Sequence, residues 1–479
     1  MDNWFDRILL HARTAPETPA IVMEDRVVTY GMLGAAIENC ARRIVDANID
    51  RSGVVVVLVQ NPIRTLTLCL ALFRIGVRCM PLEPGQSAIA SLNIAVALSD
   101  AQSKQSLHSA GRIIEVTDAW FAPEAVGVGS IPAPFSDGRQ VCLEALTSGT
   151  TGAPKTIPTT VDYIARYVGP GVMEPGGNVV LCMLGLGSVW GYTISCSVLA
   201  SRKTLCFVIS PFQAIRMVEL FSVDFVFAST DQLVALIRVV RKSGAQLRSL
   251  RTVVTGGSVP TRALLEAATL HLCKNVLCRY GTSELGSVAE ASASEILAQP
   301  TLVGHIQPEY EMAVVTTDGA PCPPGKPGLI RGRVRRNDPG GPEPWTDNGD
   351  LGWMSSDGRL FVVGRTADIQ DFSAISVGKF LPEQEVEHLL RFEWDAADAA
   401  AVLVDRPSSQ PEIWVGVVDC KDADASKLEA ILRRRGIPGS VRLFALTAIP
   451  RGANGKVQRG RLKSILVETA AAGQRTEGP

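Results

Sequence analysis

The sequence has few of the residues that build metal centres and no spacing that would close a disulfide scaffold. Its five histidines are isolated and form no HxxxH pair, and its 11 cysteines form no CxxC pair. These patterns argue against a histidine-rich metal centre, a zinc site and a disulfide-stabilised fold. Scattered thiols are typical of a reducing compartment, so we expect a cytoplasmic protein.

Long apolar runs and an excess of one charge are also absent. The longest apolar runs, Val54–Val59 and Thr67–Phe73, are too short to span a bilayer. The 47 Lys and Arg residues nearly balance the 48 Asp and Glu residues, which gives a formal net charge of -1. We therefore expect neither nucleic acid nor a membrane as a partner, and we interpret the arginine clusters at Arg331–Arg336 and Arg433–Arg435 as solvated faces.

The chain is long and its predicted elements alternate regularly. With 479 residues it exceeds what one hydrophobic core usually holds, so we expect two or three domains. The β-branched run Val54–Val59 is typical of a buried parallel strand, and an apolar helix at Arg64–Ile75 and a strand from Gly76 follow it. Strands and helices alternate again through residues 179–272. The alternation predicts an α/β fold with parallel-rich sheets flanked by helices.

Two changes in composition divide the chain. Residues 320–347 are rich in proline and glycine, which indicates loops and short strands rather than helix. Beyond Thr366–Asp368, a helix start at Pro382 and a mixture of strands and helix predict a small α+β domain. We therefore predict a large N-terminal domain at residues 1–366 and a small C-terminal domain at residues 367–479.

The strongest local signal is a glycine-rich segment that ends at a lysine. Its candidate ligand residues are Thr147, Ser148, Gly149, Thr150, Thr151, Gly152 and Lys155. Glycine lets the backbone approach an anion closely, while hydroxyls, backbone N–H groups and a lysine can hold phosphate oxygens. A Walker A loop would have glycine where Pro154 stands, and proline lacks the N–H group that such a loop needs. The composition therefore predicts a phosphate-binding loop that is not a P-loop.

This segment resembles the phosphate loop of the adenylate-forming superfamily, which includes acyl- and aryl-CoA synthetases, adenylation domains of nonribosomal peptide synthetases and luciferases. Further motifs resembling those of the superfamily follow in the same order, so the resemblance covers nearly the whole chain. They lie at Thr255–Pro260, Arg279–Glu284, Thr346–Gly352, Gly364–Arg365 and Pro450–Arg459. The resemblance implies an AMP-forming acid–thiol ligase that uses ATP and Mg²⁺.

The resemblance also implies which residues contact the adenine and the phosphates. An aromatic ring at Tyr280 would offer the adenine a stacking face. Thr282 would hydrogen-bond the α-phosphate, and Glu284 would hold Mg²⁺ through a hard oxygen. The remaining residues of this group would be Gly256, Gly257, Ser258, Arg279 and Gly281. Taken alone, Arg279–Glu284 is equally compatible with a strand end followed by a helix start.

At the ribose, the resemblance assigns Asp350 as the acceptor of both hydroxyl groups, with Arg365 nearby. A carboxylate suits two hydroxyl donors because it has acceptor sites only. Asn348-Gly349 in the same motif could instead form a hairpin turn, since this dipeptide favours such turns.

By the same resemblance, Lys456 would be the catalytic lysine of a small mobile domain. Its ammonium group would bridge carboxylate and α-phosphate oxygens as charge develops during adenylation. In the superfamily the small domain then rotates about a hinge, and a pantetheine thiol attacks the acyl-AMP.

Departures from the superfamily pattern leave the acid and the acceptor open. Ser188 stands where relatives commonly carry a histidine in the acyl pocket, and Trp190 indicates a hydrophobic pocket. The segment Leu184–Gly191 contains no aspartate to pair with a substrate ammonium group, which favours an aliphatic or aromatic acid over an amino acid. The stretch Ile369–Pro382 is longer than the usual hinge loop, which in the superfamily guides the pantetheine arm. The thiol acceptor is therefore open between CoA and the phosphopantetheine of a carrier protein. Amino-acid adenylation, and nucleotide binding without turnover, are the alternatives.

Overall fold

The protein is described by a computed structural model, which covers residues 4–85, 89, 92–122, 132–148, 154–168, 177–335, 343–366, 382–404, 412–451 and 457–475. Within the chain, contacts define two compact units. The first consists of Met1–Gln232 and Leu247–Val254, and the second of Leu233–Gln246 and Thr255–Pro479. The predicted domain boundary at residues 366 and 367 stays a prediction.

The first unit alternates strands and helices along most of its length. Its elements are α1 (Trp4–Thr14), β1 (Pro19–Met23), β2 (Arg26–Thr29), α2 (Tyr30–Asp46), β3 (Val54–Leu58), α3 (Pro62–Arg74), β4 (Arg78–Pro81), β5 (Val96–Ser99), β6 (Arg112–Glu115), β7 (Val141–Ser148), β8 (Pro154–Thr160), α4 (Val161–Arg166), β9 (Val179–Cys182), α5 (Val189–Ala200), β10 (Thr204–Cys206), α6 (Pro211–Phe221) and β11 (Phe225–Ser229). Helix α7 (Thr230–Ser243) and strand β12 (Thr252–Gly256) each cross from one unit to the other in sequence.

Two runs of neighbouring strands form the sheets of the first unit. One has the order β6-β5-β3-β4-β7-β8, and the other contains β11-β9-β10-β1-β2. Strand β3 pairs in parallel with both β4 and β5, as its continuous run of buried valines predicts. Helix α3 follows directly because Asn61 caps it, its side-chain oxygen accepting from the backbone N–H of Ile63 over 2.9 Å. The predicted βαβ unit is therefore present.

The second unit combines a mostly antiparallel sheet with a smaller sheet near its C-terminal end. Its elements are α8 (Arg262–His271), β13 (Asn275–Thr282), β14 (Gly286–Ser292), α9 (Ala293–Ala298), β15 (Leu302–Ile306), β16 (Tyr310–Val315), β17 (Gly328–Val334), β18 (Thr346–Met354), β19 (Arg359–Arg365), α10 (Pro382–Glu393), β20 (Asp398–Val404), β21 (Glu412–Val418), α11 (Ala425–Arg434), β22 (Val441–Ala445) and α12 (Arg459–Arg475). The larger run of strands has the order β16-β17-β18-β19-β15-β14-β13, and the smaller sheet has the order β20-β21-β22.

Helix α12 closes the core of the smaller sheet. Leu462 and Leu466 of this helix are fully buried, and they pack with Trp414 and Phe444 of the sheet. Burial of such aliphatic side chains contributes about 1.5–3 kcal/mol each, so the helix is part of the fold of this region. The predicted fold class, a large region of parallel-rich sheets flanked by helices and a smaller C-terminal α+β region, is confirmed.

The proline- and glycine-rich region contains longer strands than the composition suggested. Strand β17 has seven residues and β18 has nine, and the two pair in antiparallel fashion. The prolines at 321, 323, 324 and 327 precede β17, which explains why their presence did not prevent strand formation. Among the described residues, no helix has the length and apolar character needed to cross a membrane.

Candidate active site

Four polar side chains, carried by β13, β18 and β19, meet at one place in the second unit. The hydroxyl of Tyr280 donates to Oδ2 of Asp350 over 2.7 Å, and Nδ2 of Asn348 donates to the same hydroxyl oxygen over 2.9 Å. Arg365 completes the group, since its Nε lies 3.0 Å from Oδ1 of Asp350. The Asp350 side chain is 7% exposed and that of Arg365 is 45% exposed. A buried carboxylate is thus fixed between a phenol and a guanidinium group that reaches solvent.

An irregularity in β18 creates this arrangement. Asp350 pairs with Ile330 and Asp347 pairs with Arg331, so two extra residues, Asn348 and Gly349, are accommodated in β18 opposite β17. Gly349 adopts a φ of 69°, in the left-handed region that glycine enters without strain. The interpretation of Asn348-Gly349 as a hairpin turn is therefore wrong, because the dipeptide forms a bulge inside a continuous strand.

The pKa of Tyr280 depends on its burial and on the charge of Asp350. Burial raises the pKa of the Tyr280 phenol, and the neighbouring Asp350 charge raises it further, whereas Arg365 and Asn348 lower it. The phenol is therefore a permanent hydrogen-bond donor in the physiological range, and Asp350 is held in one orientation by a neutral and a charged donor.

Asn348 was not selected from the sequence as a site residue. Its side-chain Oδ1 is buried and has no hydrogen-bond partner among the described residues. A buried acceptor without a donor is costly, and it indicates that a ligand hydroxyl or amide can complete the pair. The two acceptor groups, on Asn348 and on Asp350, fit the two hydroxyl groups of a ribose. The sequence signal was its place two residues before Asp350 in the motif.

The predicted adenine and phosphate motif forms a β-hairpin rather than a strand followed by a helix. Strands β13 and β14 pair through Arg279 and Glu290, and Arg279 Nε lies 2.6 Å from Oε2 of Glu290. A Cβ atom at Gly281 would overlap the carbonyl oxygen of Gly286, so the close approach of the strands requires glycine there. The structure therefore gives Arg279 a cross-strand partner, which the sequence did not indicate.

At the tip of this hairpin lie the two residues assigned to phosphate and metal. The Thr282 hydroxyl accepts a hydrogen bond from the backbone N–H of Leu285 over 3.2 Å, which stabilises the turn. Glu284 lies in the turn with its side chain exposed. A single accessible carboxylate fits Mg²⁺, which usually keeps several waters and binds through one or two carboxylates and substrate phosphates. Among the described residues, no group of three or more His, Cys, Asp or Glu could hold a metal ion.

The turn after β12 carries the predicted adenine-side glycines. Gly256 is buried at the end of the strand, whereas Gly257 and Ser258 are exposed. Gly257 adopts a φ of 92°, a conformation that L side chains rarely reach. At Gly257 the turn therefore presents backbone without a side chain, which leaves room for a planar group to approach closely.

Two predicted sites lie largely outside the described residues. These sites are the glycine-rich segment at Gly149, Thr150, Thr151 and Gly152, and the catalytic position Lys456. Thr147 and Ser148 belong to β7 and Lys155 to β8, and Thr147 pairs with Lys155 in the antiparallel ladder. The Lys155 side chain is exposed. The paired strands β7 and β8 therefore lie immediately before and after the glycine-rich residues in the sequence.

The predicted acyl-pocket segment begins helix α5. Ser188 is the N-cap of that helix: its Oγ accepts from the N–H of Gly191 over 3.0 Å and donates to the carbonyl of Gly185 over 2.8 Å. Trp190 packs edge-on against Phe227, with 6.4 Å between ring centroids, and its indole N–H is buried without a partner among the described residues. The hydroxyl of Ser188 therefore fixes the start of the helix.

Glu83, which the sequence did not single out, lies against the same segment. Its Oε1 accepts from the N–H of Gly187 over 3.5 Å, and a Cβ atom at Gly185 would overlap its carboxylate. The pocket segment therefore has a carboxylate neighbour after all, although it comes from the loop after β4.

Comparison with known proteins places these features in context. The family model described as AMP-binding enzyme matches residues 10–334. The 2-succinylbenzoate–CoA ligase of Geobacillus kaustophilus (strain HTA426) is 26% identical over 509 residues, covering 98% of this chain and 99% of the relative. The solved structure of o-succinylbenzoate CoA synthetase from Bacillus subtilis in complex with ATP and magnesium ion has a TM-score of 0.74 at 22% identity, covering 96% of this chain and 99% of that one. The anthranilate CoA ligase AuaEII in complex with anthranoyl-AMP has a TM-score of 0.78 at 16% identity, covering 98% of each chain.

Proposed function

The chain belongs to the AMP-binding enzyme family, and on that premise we propose that it is an ATP-dependent ligase that joins an aromatic carboxylic acid to CoA through an acyl-AMP intermediate. The observation that carries the proposal is the buried group of Asp350, Tyr280 and Asn348, which offers two acceptors to the hydroxyl groups of a ribose. ATP and Mg²⁺ are the cofactors, and CoA is the acceptor. The aromatic substrate class is supported by the relatives, whose names give 2-succinylbenzoate and anthranilate as acids.

We assign the nucleotide-binding roles as follows. The ribose hydroxyls donate to Asp350 and to Asn348, with Arg365 holding the carboxylate from the solvent side. The adenine packs on the Tyr280 side chain and on the turn of Gly256, Gly257 and Ser258. The phosphates lie in the glycine-rich segment at residues 147–152, with Lys155 supplying positive charge and Thr282 a hydroxyl.

In the first half-reaction, a carboxylate oxygen of the acid attacks the α-phosphorus of ATP. A new oxygen–phosphorus bond forms, the bond to the bridging oxygen breaks, and pyrophosphate leaves. Glu284 would hold Mg²⁺ when the ion is bound, and the ion would supply positive charge to the leaving phosphates. The ammonium group of Lys456 stabilises the charge on the carboxylate and α-phosphate oxygens in the transition state.

In the second half-reaction, the thiol sulfur of CoA attacks the acyl carbon. A thioester bond forms, the acyl–phosphate bond breaks, and AMP leaves as the thiol proton passes to solvent. Residues around Ser188 and Trp190 line the acyl pocket, and Trp190 provides an aromatic surface to an aromatic acid.

The predicted large and small domains, at residues 1–366 and 367–479, belong to the same proposal. Rotation of the small domain would remove Lys456 after adenylation and admit the thiol. Transfer to a carrier-protein phosphopantetheine is the alternative to CoA, because the long stretch Ile369–Pro382 leaves the acceptor open. We place the enzyme in the cytoplasm, because none of its 11 cysteines, all within the described residues, forms a disulfide.

The test is release of pyrophosphate from ATP with a panel of acids, in the presence and absence of CoA. The panel contains 2-succinylbenzoate, 4-coumarate, anthranilate, benzoate, hexanoate and phenylalanine. Release that rises with CoA for an aromatic acid is expected. Release independent of CoA would favour a carrier protein, and release with phenylalanine alone would favour amino-acid adenylation. Binding of ATP without release for any acid would contradict the proposed enzyme and support a nucleotide-binding protein without turnover.

Replacement of the predicted catalytic lysine checks the assignment of the first half-reaction. We expect Lys456→Ala to lower the adenylation rate by about two to three orders of magnitude, the size of effect that loss of one transition-state contact produces. Its melting temperature should match that of the unaltered protein. Adenylation at the normal rate in this variant would contradict the assigned role.

A further inference from the structure

The segment 452–456, which includes Lys456, lies outside the described residues, but the residues on both sides of it are described. An isolated antiparallel bridge joins Arg451 to Val457, and the N–H of Gln458 donates to the carbonyl of Pro450 over 2.9 Å. The backbone therefore enters and leaves this segment at one place. Lys456 is one peptide bond away from the bridged residue Val457.

The entry to the segment is fixed by a forked ion pair. Arg451 donates from Nη2 to Oδ1 of Asp398 over 2.7 Å and from Nε to Oδ2 over 3.1 Å. Asp398 also accepts from Nη2 of Arg391 over 2.5 Å and from the N–H of Ala399 over 2.9 Å. A guanidinium group bound at two nitrogen atoms has a fixed orientation, which a single-point contact does not give.

The charges in this ion pair are partly shielded from water. The side chains of Asp398, Arg451 and Arg391 are 27%, 29% and 11% exposed. Burial raises the pKa of Asp398, but the hydrogen bonds from Arg451 and the charges of Arg391 and Arg451 outweigh it, so the pKa lies below its usual value. Asp398 is therefore an anion throughout the neutral range, and its pairing with arginine persists there.

A second arginine fixes the exit from the segment. Nη1 of Arg459, the first residue of α12, donates to Oε1 of Glu387 over 2.7 Å and to the carbonyl of Ala401 over 2.5 Å. The same carboxylate oxygen accepts the N–H of Ala401 over 2.9 Å, so Glu387 joins α10, β20 and α12. The Glu387 side chain is 10% exposed. Both arginines thus end on carboxylates, one on β20 and one on α10.

These contacts have no direct part in binding or in chemistry as assigned above. They fix the described backbone on both sides of the segment that contains the lysine. A lysine side chain has four rotatable carbon bonds and gains little precision from its own packing, so its reach depends on where its backbone is held. In enzymes a displacement of about 1 Å at a reacting group can cost about 100-fold in rate.

We propose that Asp398 and Glu387 are positioning residues for the adenylation half-reaction, acting through Arg451 and Arg459 on the segment that carries Lys456. The inference rests on the proposed function, in which Lys456 is the catalytic lysine of that half-reaction. It predicts that loss of either carboxylate impairs adenylation and leaves the thioester half-reaction intact.

The test separates the two half-reactions in Asp398→Asn and Glu387→Gln. Adenylation is measured as pyrophosphate release with the panel acid that gives the highest rate. The second half-reaction is measured as AMP release from the chemically synthesised adenylate of that acid with CoA. We expect adenylation to fall about 10- to 100-fold, while AMP release stays within about twofold of the unaltered protein. A merely destabilising substitution would lower both rates together.

Conservative and matched variants sharpen the result. Arg451→Lys keeps the charge but loses the fork, so it should retain more adenylation than Arg451→Gln. Asp422→Asn and Arg461→Gln, at exposed positions of the same region, should leave both rates unchanged. Full adenylation in Asp398→Asn beside an inactive Lys456→Ala would overturn the inference and leave the proposed function in place. Full adenylation in Lys456→Ala would instead refute the lysine assignment.

Amide hydrogen exchange gives a readout that needs no substrate. In Asp398→Asn, peptides that cover residues 450–458 should exchange faster than in the unaltered protein, while the amides of β20 and β21 keep their protection. Unchanged exchange in this segment would overturn the inference. Faster exchange throughout the region would also overturn it, because it would show general unfolding.

Discussion

The hydroxyl of Tyr280 lies 2.7 Å from Oδ2 of Asp350, so a hydrogen bond joins an aromatic residue of β13 to a buried carboxylate of β18. The motifs that contribute them are 70 residues apart in the chain. This contact couples the surface proposed for adenine to the acceptor proposed for ribose. Loss of the hydroxyl should therefore affect nucleotide binding without changing the acyl chemistry.

For Tyr280→Phe we expect the KM for ATP to rise about fivefold with little change in kcat. Removal of a hydrogen bond of this kind costs about 1 kcal/mol, and the aromatic face and Arg365 remain. The measurement is steady-state pyrophosphate release at varied ATP concentration. Tyr30→Phe is the matched control, since the Tyr30 hydroxyl is also buried and donates to Leu199 and Lys203 carbonyls in the other unit. An equal rise in KM in the control would argue against the assigned role.

For Gly281→Ala we expect a loss of about 1–3 kcal/mol in the free energy of unfolding, together with weaker ATP binding. The added methyl group would overlap the carbonyl oxygen of Gly286 and separate β13 from β14. Urea denaturation gives the stability and fluorescence titration with ATP the affinity. Gly460→Ala is the control, because no described atom lies within 4 Å of the added methyl group in α12. A variant Gly281→Ala as stable as the control would contradict the packing argument.

For Glu385→Ala we expect a loss of about 3 kcal/mol in the free energy of unfolding. Glu385 is fully buried, lies 2.6 Å from Nη1 of Arg435 and accepts the N–H of Ala263 at the start of α8. Its removal leaves a largely buried guanidinium group and a helix N–H without their partner. The exposed carboxylate of Glu266, which binds the other nitrogen of Arg435 over 2.8 Å, provides the control. Glu266→Ala should cost less than about 1 kcal/mol.

Acid should destabilise the protein through His388. Burial, and to a smaller extent Arg391, lowers the pKa of His388 to about 3, and its Nδ1 lies 2.7 Å from the Thr261 hydroxyl. The unfolded chain takes up a proton below about pH 6.5 and the folded chain does not, so stability falls as pH decreases from there toward 3. Between pH 7.5 and 5.5 this group should account for about 1.4 kcal/mol.

The measurement is the difference between the unaltered protein and His388→Gln in urea denaturation at both pH values. The difference removes the opposing contribution of Glu385, whose pKa is raised by burial although Arg435 lowers it. The unaltered protein should lose more stability than the variant. Parallel losses would show that His388 is accessible to protons in the folded state.

Periodicity and composition were sufficient for most of the elements, because each strand or helix of the first unit carries its own pattern. The β-branched run that became β3 and the apolar run that became α3 needed no knowledge of their neighbours. Asp350 and Tyr280 were predicted as site residues because their motifs are local in sequence.

Features that depend on the pairing of strands could not be found in this way. The bulge at Gly349 exists only relative to β17, and the partner of Arg279 follows from the register of β13 with β14. Glu83 lies far in sequence from the pocket segment that it contacts. This contact could be recognised only from the packing of the loop after β4 in the folded structure. Serine favours the N-cap position of a helix, so the role of Ser188 as a helix cap was detectable from sequence. The resemblance to the superfamily instead placed Ser188 in the acyl pocket.

The two residues inserted in β18 have a consequence for how this family of sites can change by deletion and insertion. Side chains in a strand alternate between the two faces of the sheet. Deletion of one residue would therefore place Asp350 on the opposite face. Loss of both Asn348 and Gly349 would restore the alternation but remove the acceptor beside the carboxylate. An insertion of two residues is therefore the shortest that adds a polar group here and keeps Asp350 on the same face of the sheet.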